Sequence, residues 1–259
     1  MSEKLSVTLI QADIYWENIG LNLSRFDCCI DRVAKTDIIF LPEMFNTGFT
    51  SRAELYAEEM NGKTISWMKK VSDLKKCSVV GTLLVSENNN IYNRLVWVKK
   101  NGNIKTYDKR HLFSLAGEDK IIDKGKNRLI IEDFGWKICP LICYDLRFPV
   151  FSRNNEDYDM LVYLANWPVQ RIYSWNTLLR ARAIENQCYV VGLNRVGVDA
   201  NKIEYSGDSL VLDVFGKKIA SLGQNKNYFI TLDLEKKQIH HCRKKINFLN
   251  DMDDFYLKD

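Results

Sequence analysis

Apolar residues fall in short runs whose spacing switches between two and about 3.6, and the order of these runs sketches a fold. Residues 5–12, LSVTLIQA, alternate as a strand, and Ile19, Leu23, Phe26, Ile30 and Val33 then recur at helical spacing. Ile38 to Leu41 is a short, continuous apolar run of the kind a strand covered on both faces shows, and Pro42 ends it. A second helix around Thr64 to Lys76 leads into the strand SVVGTLLV. Strand, helix, strand, helix, strand is an α/β order.

The middle of the chain changes character. IYNRLVWVKKNGNIKTYDK reads as two strands joined at Asn101-Gly102, a dipeptide suited to a hairpin, so the sheet is mixed. RLIIEDF and KICPLIC flank Gly135 as another hairpin-like pair, DMLVYLAN is a buried strand, and YSWNTLLRARAIENQ a helix. The strands CYVVGLN, DSLVLDVFG, KKIASL and YFITLDL follow, with a closing helix from about Glu235. Two packed sheets with helices outside would use all of these elements.

Composition narrows the class. With 259 residues, 46% of them hydrophobic, the chain can bury a large core, and four prolines and thirteen glycines leave no linker-like segment. One domain over residues 1–259 is therefore expected. The start, MSEKLSVTLIQAD, lacks the apolar core of a signal peptide, and the longest apolar runs fall far short of the roughly 20 residues a membrane helix needs. A soluble protein with no membrane partner is expected. The formal charge of +4, from 37 basic and 33 acidic residues spread along the chain, does not imply nucleic acid. Seven cysteines without regular spacing point to a reducing cytoplasm rather than a disulfide framework. Cys139 and Cys143 lie on one apparent strand, about 13 Å apart, too far to share a zinc ion at about 2.3 Å per thiolate. His240, His241 and Cys242 diverge around a helix. No metal and no cofactor are expected.

Polar residues just past apolar strands occupy the sheet end where α/β proteins keep their ligands. Three stand out: Glu43 in FLPEMFNTGF, Lys109 in YDKRHLF and Cys143 in LICYDLRFP. A thiol attacks only as thiolate, so it needs a base or cation nearby, and Glu43 can take its proton. Lys109 and the amide of Tyr144 can stabilise the oxygen charge that acyl transfer develops.

These motifs, in this order and together with VYLANWP, resemble those of the nitrilase superfamily of carbon-nitrogen hydrolases, and are close to those of its bacterial ω-amidases. The likeness runs from the first strand to about Ser221 and takes in LLRARAIENQ and the NRVG and GDS turns. It implies a four-layer α-β-β-α sandwich, usually paired as a homodimer, with Cys143 as nucleophile, Glu43 as general base and Lys109 holding the oxyanion. Glu118, in FSLAGEDK, stands where the family has a second glutamate, although the residues after it depart from the usual pattern. Tyr144 and Asp145 follow the cysteine where true nitrilases carry Trp and Glu, which favours the amidase branches. Arg147 stands where related carbamoyl-amino-acid hydrolases hold a substrate carboxylate; its structural alternative is an ion pair with Asp145 or Glu185. Phe45, Phe113, Trp167 and Tyr144 can wall a small apolar pocket, although aromatic residues are more often core. The substrates implied are short 2-oxo dicarboxylic monoamides, 2-oxoglutaramate and 2-oxosuccinamate, with another small carboxylate-bearing amide as the alternative. A rival enzyme scheme pairs Cys143 with His111, and a non-enzyme reading leaves the cysteine inert in a binding module.

Overall fold

Strand-forming runs and amphipathic helices alternate along the computed structural model, which describes residues 3–256. The order is β1 (Lys4–Gln11), α1 (Ile19–Asp31), β2 (Ile38–Phe40), α2 (Ala53–Tyr56), α3 (Lys63–Lys75), β3 (Ser78–Glu87), β4 (Asn90–Val98), β5 (Ile104–Asp108), β6 (Ile131–Asp133), β7 (Trp136–Ile142), β8 (Met160–Ala165), α4 (Ile172–Asn186), β9 (Tyr189–Asn194), β10 (Val196–Val198), β11 (Glu204–Leu212), β12 (Lys218–Gln224), β13 (Tyr228–Glu235) and α5 (Lys236–Lys245). The first sheet has the order β13-β1-β2-β3-β4-β5, with β1, β2 and β3 parallel and the other pairings antiparallel. The second runs β10-β11-β9-β8-β7-β6 with β12 beside β11, and its parallel centre is β7, β8 and β9.

Period-two alternation decides which layer each side chain joins. On β2 and the residue after it, Ile38 and Phe40 pack toward the second sheet, while Ile39 and Leu41 join Leu23, Phe26 and Ile30 of α1 and Ile65, Met68 and Val71 of α3. Asn18 starts α1 by accepting the Leu21 N–H at 3.0 Å. Beyond the second sheet, Trp175, Leu179 and Ala183 of α4 and Ile239 of α5 close the same core. Gly192 on β9 permits this approach, because a Cβ there would lie 2.4 Å from Leu179 Cδ1. The result is the expected α-β-β-α sandwich. Full burial of each large apolar side chain contributes about 1.5–3 kcal/mol.

Turn chemistry sets the hairpins. Asn88 and Asn89, at φ +50° and +64°, make the tight β3–β4 turn, and Phe134-Gly135 does the same between β6 and β7. The Asn101-Gly102 hairpin forms too, but its turn is Lys99 to Gly102, closed by Gly102 N–H to Lys99 O at 2.8 Å. Gly102 is the left-handed residue that ends it, at φ +84°. The chain then does something the strand pattern does not announce: from β12 in the second sheet it crosses back, and β13 pairs with β1 along its whole length, Lys4 with Glu235 through Gln11 with Tyr228. No helix among the described residues is long and apolar enough to cross a membrane.

Candidate active site

Four strands deliver polar residues to one end of the sandwich: Glu43 after β2, Lys109 after β5, Cys143 after β7 and Asn166 after β8. Cys143 has φ +40°, a left-handed backbone that costs a non-glycine residue on the order of 1 kcal/mol or more. Buried Asp145 holds the turn in that shape. Its Oδ2 accepts the Ile142 N–H at 2.9 Å and the Tyr107 hydroxyl at 2.7 Å. Its Oδ1 accepts the His111 N–H at 3.1 Å and faces His111 Nδ1 at 2.8 Å. One carboxylate thus ties the cysteine turn to the lysine loop. His111 stacks on Phe148 with ring centroids 3.8 Å apart, so its ring serves Asp145 and the turn, while the Cys143 thiol points to Asn166 O at 3.8 Å.

Lys109 is buried between two carboxylates. Its Nζ lies 3.0 Å from Glu43 Oε1 and 2.9 Å from both oxygens of Glu118. Burial alone would lower the ammonium pKa, but Glu118 and Glu43 together outweigh it and push the group well above the usual lysine range. Asn93 Nδ2 donates to Glu43 Oε1 at 2.8 Å, and the Asn166 N–H donates to Glu43 Oε2 at 2.7 Å. Glu118 Oε2 accepts the Phe113 N–H at 2.6 Å. Burial raises the Glu118 carboxyl, Lys109 offsets part of that, and Glu43 adds to it. Burial and the adjacent Glu43 carboxylate push the Cys143 thiol well above its ordinary value, with Lys109 opposing. The resting cysteine is therefore a neutral thiol beside a carboxylate, not a preformed thiolate. Among the described residues no three His, Cys, Asp or Glu side chains converge as a metal site would need.

Cys143 and Lys109 open into a cleft of about 490 Å³, mouth included, whose walls include Phe113, Tyr144, Arg147 and Trp167. Phe45 is the exception to the expected pocket. It is fully buried on the helix side of the first sheet, its ring 5.5 Å from that of Phe26 and 5.8 Å from that of Trp67. The bare backbone of Gly81 makes room for it, since a Cβ there would come within 2.7 Å of Phe45 Cδ1. Phe49, Tyr205 and Ile203 line the cleft instead. Neither ion pair considered for Arg147 forms: Asp145 is engaged as above, and Glu185 accepts Arg182 Nη1 at 2.9 Å. Arg147 Nη2 donates to Ser174 Oγ at 3.1 Å, and its guanidinium lies 5.0 Å over the Trp167 ring.

Sequence reasoning overlooked Asn93 and Asn166, though each left a trace. Asn93 is a polar residue at the start of the buried stretch of β4, and Asn166 is the first polar residue after the fully buried β8. The profile of the carbon-nitrogen hydrolase family matches residues 6–244. The chain belongs to that family. It is 40% identical to the ω-amidase YafV of Yersinia enterocolitica over 98% of both chains, and 31% identical to the 2-oxoglutaramate amidase of Bacillus subtilis over 96% of this chain and 98% of that one. Its fold superimposes with a TM-score of 0.97 on the crystal structure of XC1258 from Xanthomonas campestris, a CN-hydrolase superfamily protein with an arsenic adduct in its active site. That structure is 36% identical, with 99% of this chain and 100% of that one covered. A member of this family is a hydrolase of carbon-nitrogen bonds.

Proposed function

We propose that the protein is an ω-amidase that releases ammonia from short 2-oxo dicarboxylic monoamides, 2-oxoglutaramate and 2-oxosuccinamate, through a thioester on Cys143. One observation carries the reading: Cys143 and Lys109 share a small cleft with Arg147, which has no carboxylate partner among the described residues. Arg147 is then available to the substrate's carboxylate, for which a planar fork of donors is well matched. The name of the Yersinia relative supports the ω-amidase class, and that of the Bacillus relative supports 2-oxoglutaramate as a substrate.

Catalysis follows from the proton inventory. As Cys143 Sγ bonds to the amide carbon, its proton passes to Glu43, so the charge-separated thiolate never has to persist. The amide oxygen gains negative charge and is held by Lys109 Nζ and the Tyr144 N–H. Glu43 returns the proton to the nitrogen, the C–N bond breaks and ammonia leaves the thioester. Water then attacks the thioester carbon and gives its proton to Glu43. The second intermediate collapses with cleavage of the C–S bond, the proton returns to sulfur, and the acid departs. Glu118 takes no proton; its two oxygens aim Lys109.

The cytoplasm suits this reading, since all seven cysteines are unpaired. A homodimer would cover the outer face of α4, where Tyr173 is 82% exposed and Ile184, beside the Gly216 turn, 45% exposed. Sedimentation equilibrium tests that, and a monomer at micromolar concentration sinks it.

The main test is ammonia release from a panel of short amides. The expected result is turnover of both 2-oxo amides, abolished in Cys143→Ala and Glu43→Gln but retained in His111→Ala. Release from neither 2-oxo amide would return the substrate to an unknown amide.

A further inference from the structure

The cleft holds a third cation, one that the catalytic scheme leaves idle. Arg171 lies just ahead of α4 and lines the same cleft as Cys143, with its guanidinium 5.0 Å over the Phe113 ring. Lys109 spends its charge on Glu43 and Glu118. Arg147 and Arg171 have no such partner: neither pairs with a carboxylate among the described residues, and no acid lines the cleft. Two unneutralised guanidiniums in a half-buried cleft repel each other, an arrangement retained at a cost unless a ligand offsets it.

A single hydroxyl fixes the two residues relative to each other. Ser174 Oγ donates to the Arg171 carbonyl at 2.8 Å and accepts Arg147 Nη2 at 3.1 Å. The Arg171 carbonyl also accepts Trp167 Nε1 at 2.8 Å, which anchors the ring under Arg147. The Arg147 guanidinium is thereby tied to the main chain of Arg171.

We infer that Arg171 is the residue that selects the 2-oxo form of the substrate, with Arg147 on the carboxylate and Arg171 on the 2-oxo oxygen. This rests on the ω-amidase reading above. A guanidinium offers five N–H donors and no acceptor. A 2-oxo oxygen is an acceptor only, so it completes the clamp. An ammonium on the same carbon, as in the 2-amino acid, is positively charged and donates only, so it meets Arg171 donor to donor and charge to like charge. A methylene at that carbon neither fills nor offends the site. Arg171 therefore sets a preference order of 2-oxo over unsubstituted over 2-amino.

The test compares three amides of one chain length: 2-oxoglutaramate, glutaramate and glutamine. In Arg171→Ala, kcat/KM for 2-oxoglutaramate should fall about 10- to 100-fold, the loss expected for one charge-assisted hydrogen bond, chiefly through KM. Glutaramate should change by less than about threefold, and glutamine should hold or improve. Arg147→Ala should lower 2-oxoglutaramate and glutaramate together. Arg171→Met, which keeps an unbranched stem over Phe113, should repeat the Arg171→Ala shift. The main-chain carbonyl that holds Trp167 and Ser174 survives in both. An equal loss on all three amides, an unchanged ratio, or a shift in Arg171→Ala alone overturns the assignment while leaving the ω-amidase reading in place. A wild-type enzyme inert toward 2-oxo amides but active on another amide overturns both.

Discussion

Glu118→Gln separates aiming Lys109 from binding substrate. An ammonium has three N–H donors. Glu43 Oε1 takes one at 3.0 Å, the two Glu118 oxygens, both at 2.9 Å, share a second, and the third is left for the substrate oxygen. Glutamine has nearly the same shape but only one acceptor oxygen. If that oxygen replaces Oε2, it keeps the Phe113 N–H, and the new NH2 faces Lys109 Nζ and the Asn93 amide at 3.4 Å, donor against donor. Flipping the amide moves the clash onto the Phe113 N–H instead. Either way Lys109 loses a charge-assisted contact worth about 1.5–3 kcal/mol and is free to rotate off the oxyanion position. Removing one oxyanion donor costs about 10²- to 10³-fold in kcat. That is the expected loss in steady-state ammonia release, with KM changed by less than about threefold because Glu118 lies behind Lys109 rather than on the cleft wall. A KM raised tenfold with kcat retained would mean that Glu118 binds substrate, and a kcat within about threefold of wild type would mean that Lys109 is aimed by something else.

Asp145→Asn leaves one acceptor where four donors now point, and should cost about 3 kcal/mol, seen in differential scanning calorimetry as a Tm roughly 6–12 °C lower, with kcat falling too as the Cys143 turn loosens. Phe45→Ala should cost about 3–5 kcal/mol and leave KM unchanged; a raised KM at unchanged Tm would place the ring in the cleft after all. Burial pushes the thiols of Cys77 and Cys139 up to about 12 from an ordinary value near 9. Above pH 9 the unfolded chain releases protons that the folded protein keeps, so stability is full below that pH and falls by up to about 1.4 kcal/mol per pH unit per thiol until about pH 12. Urea unfolding between pH 8 and 10.5 should show this decline, with a shallower slope in Cys139→Ala, and an unchanged slope there would contradict the assigned burial cost.

What the chain displayed openly was its local grammar. Alternating apolar positions gave β1, a continuous apolar run gave β2, helical spacing gave α1 and α3, and Asn101-Gly102 marked a hairpin, because these signals act over a few residues. The loops bearing Glu43 and Cys143 were legible for the same reason, each following an apolar strand, while Lys109 follows the mixed strand IKTYD and was legible through its motif. Side-chain direction was not legible where the backbone leaves a regular conformation. In an extended chain Phe45 would face the same way as Glu43, two residues earlier, and so would wall the cleft. Met44 at φ +45° breaks that alternation, and the ring turns into the gap over Gly81. Contacts between distant segments were hidden as well. Nothing local tells β13 to leave the second sheet for β1, more than 200 residues away, or tells Asn93 and Asn166 to converge on Glu43 from different sheets. Yet Asn93 is a polar residue at the start of the buried stretch of β4 and Asn166 the first polar residue past the buried β8, and a buried amide must find partners. An unexplained polar residue in or just past a buried run is therefore the sequence signal that points to the groups orienting a reactive centre, while charge at the strand end points to the reactive groups themselves.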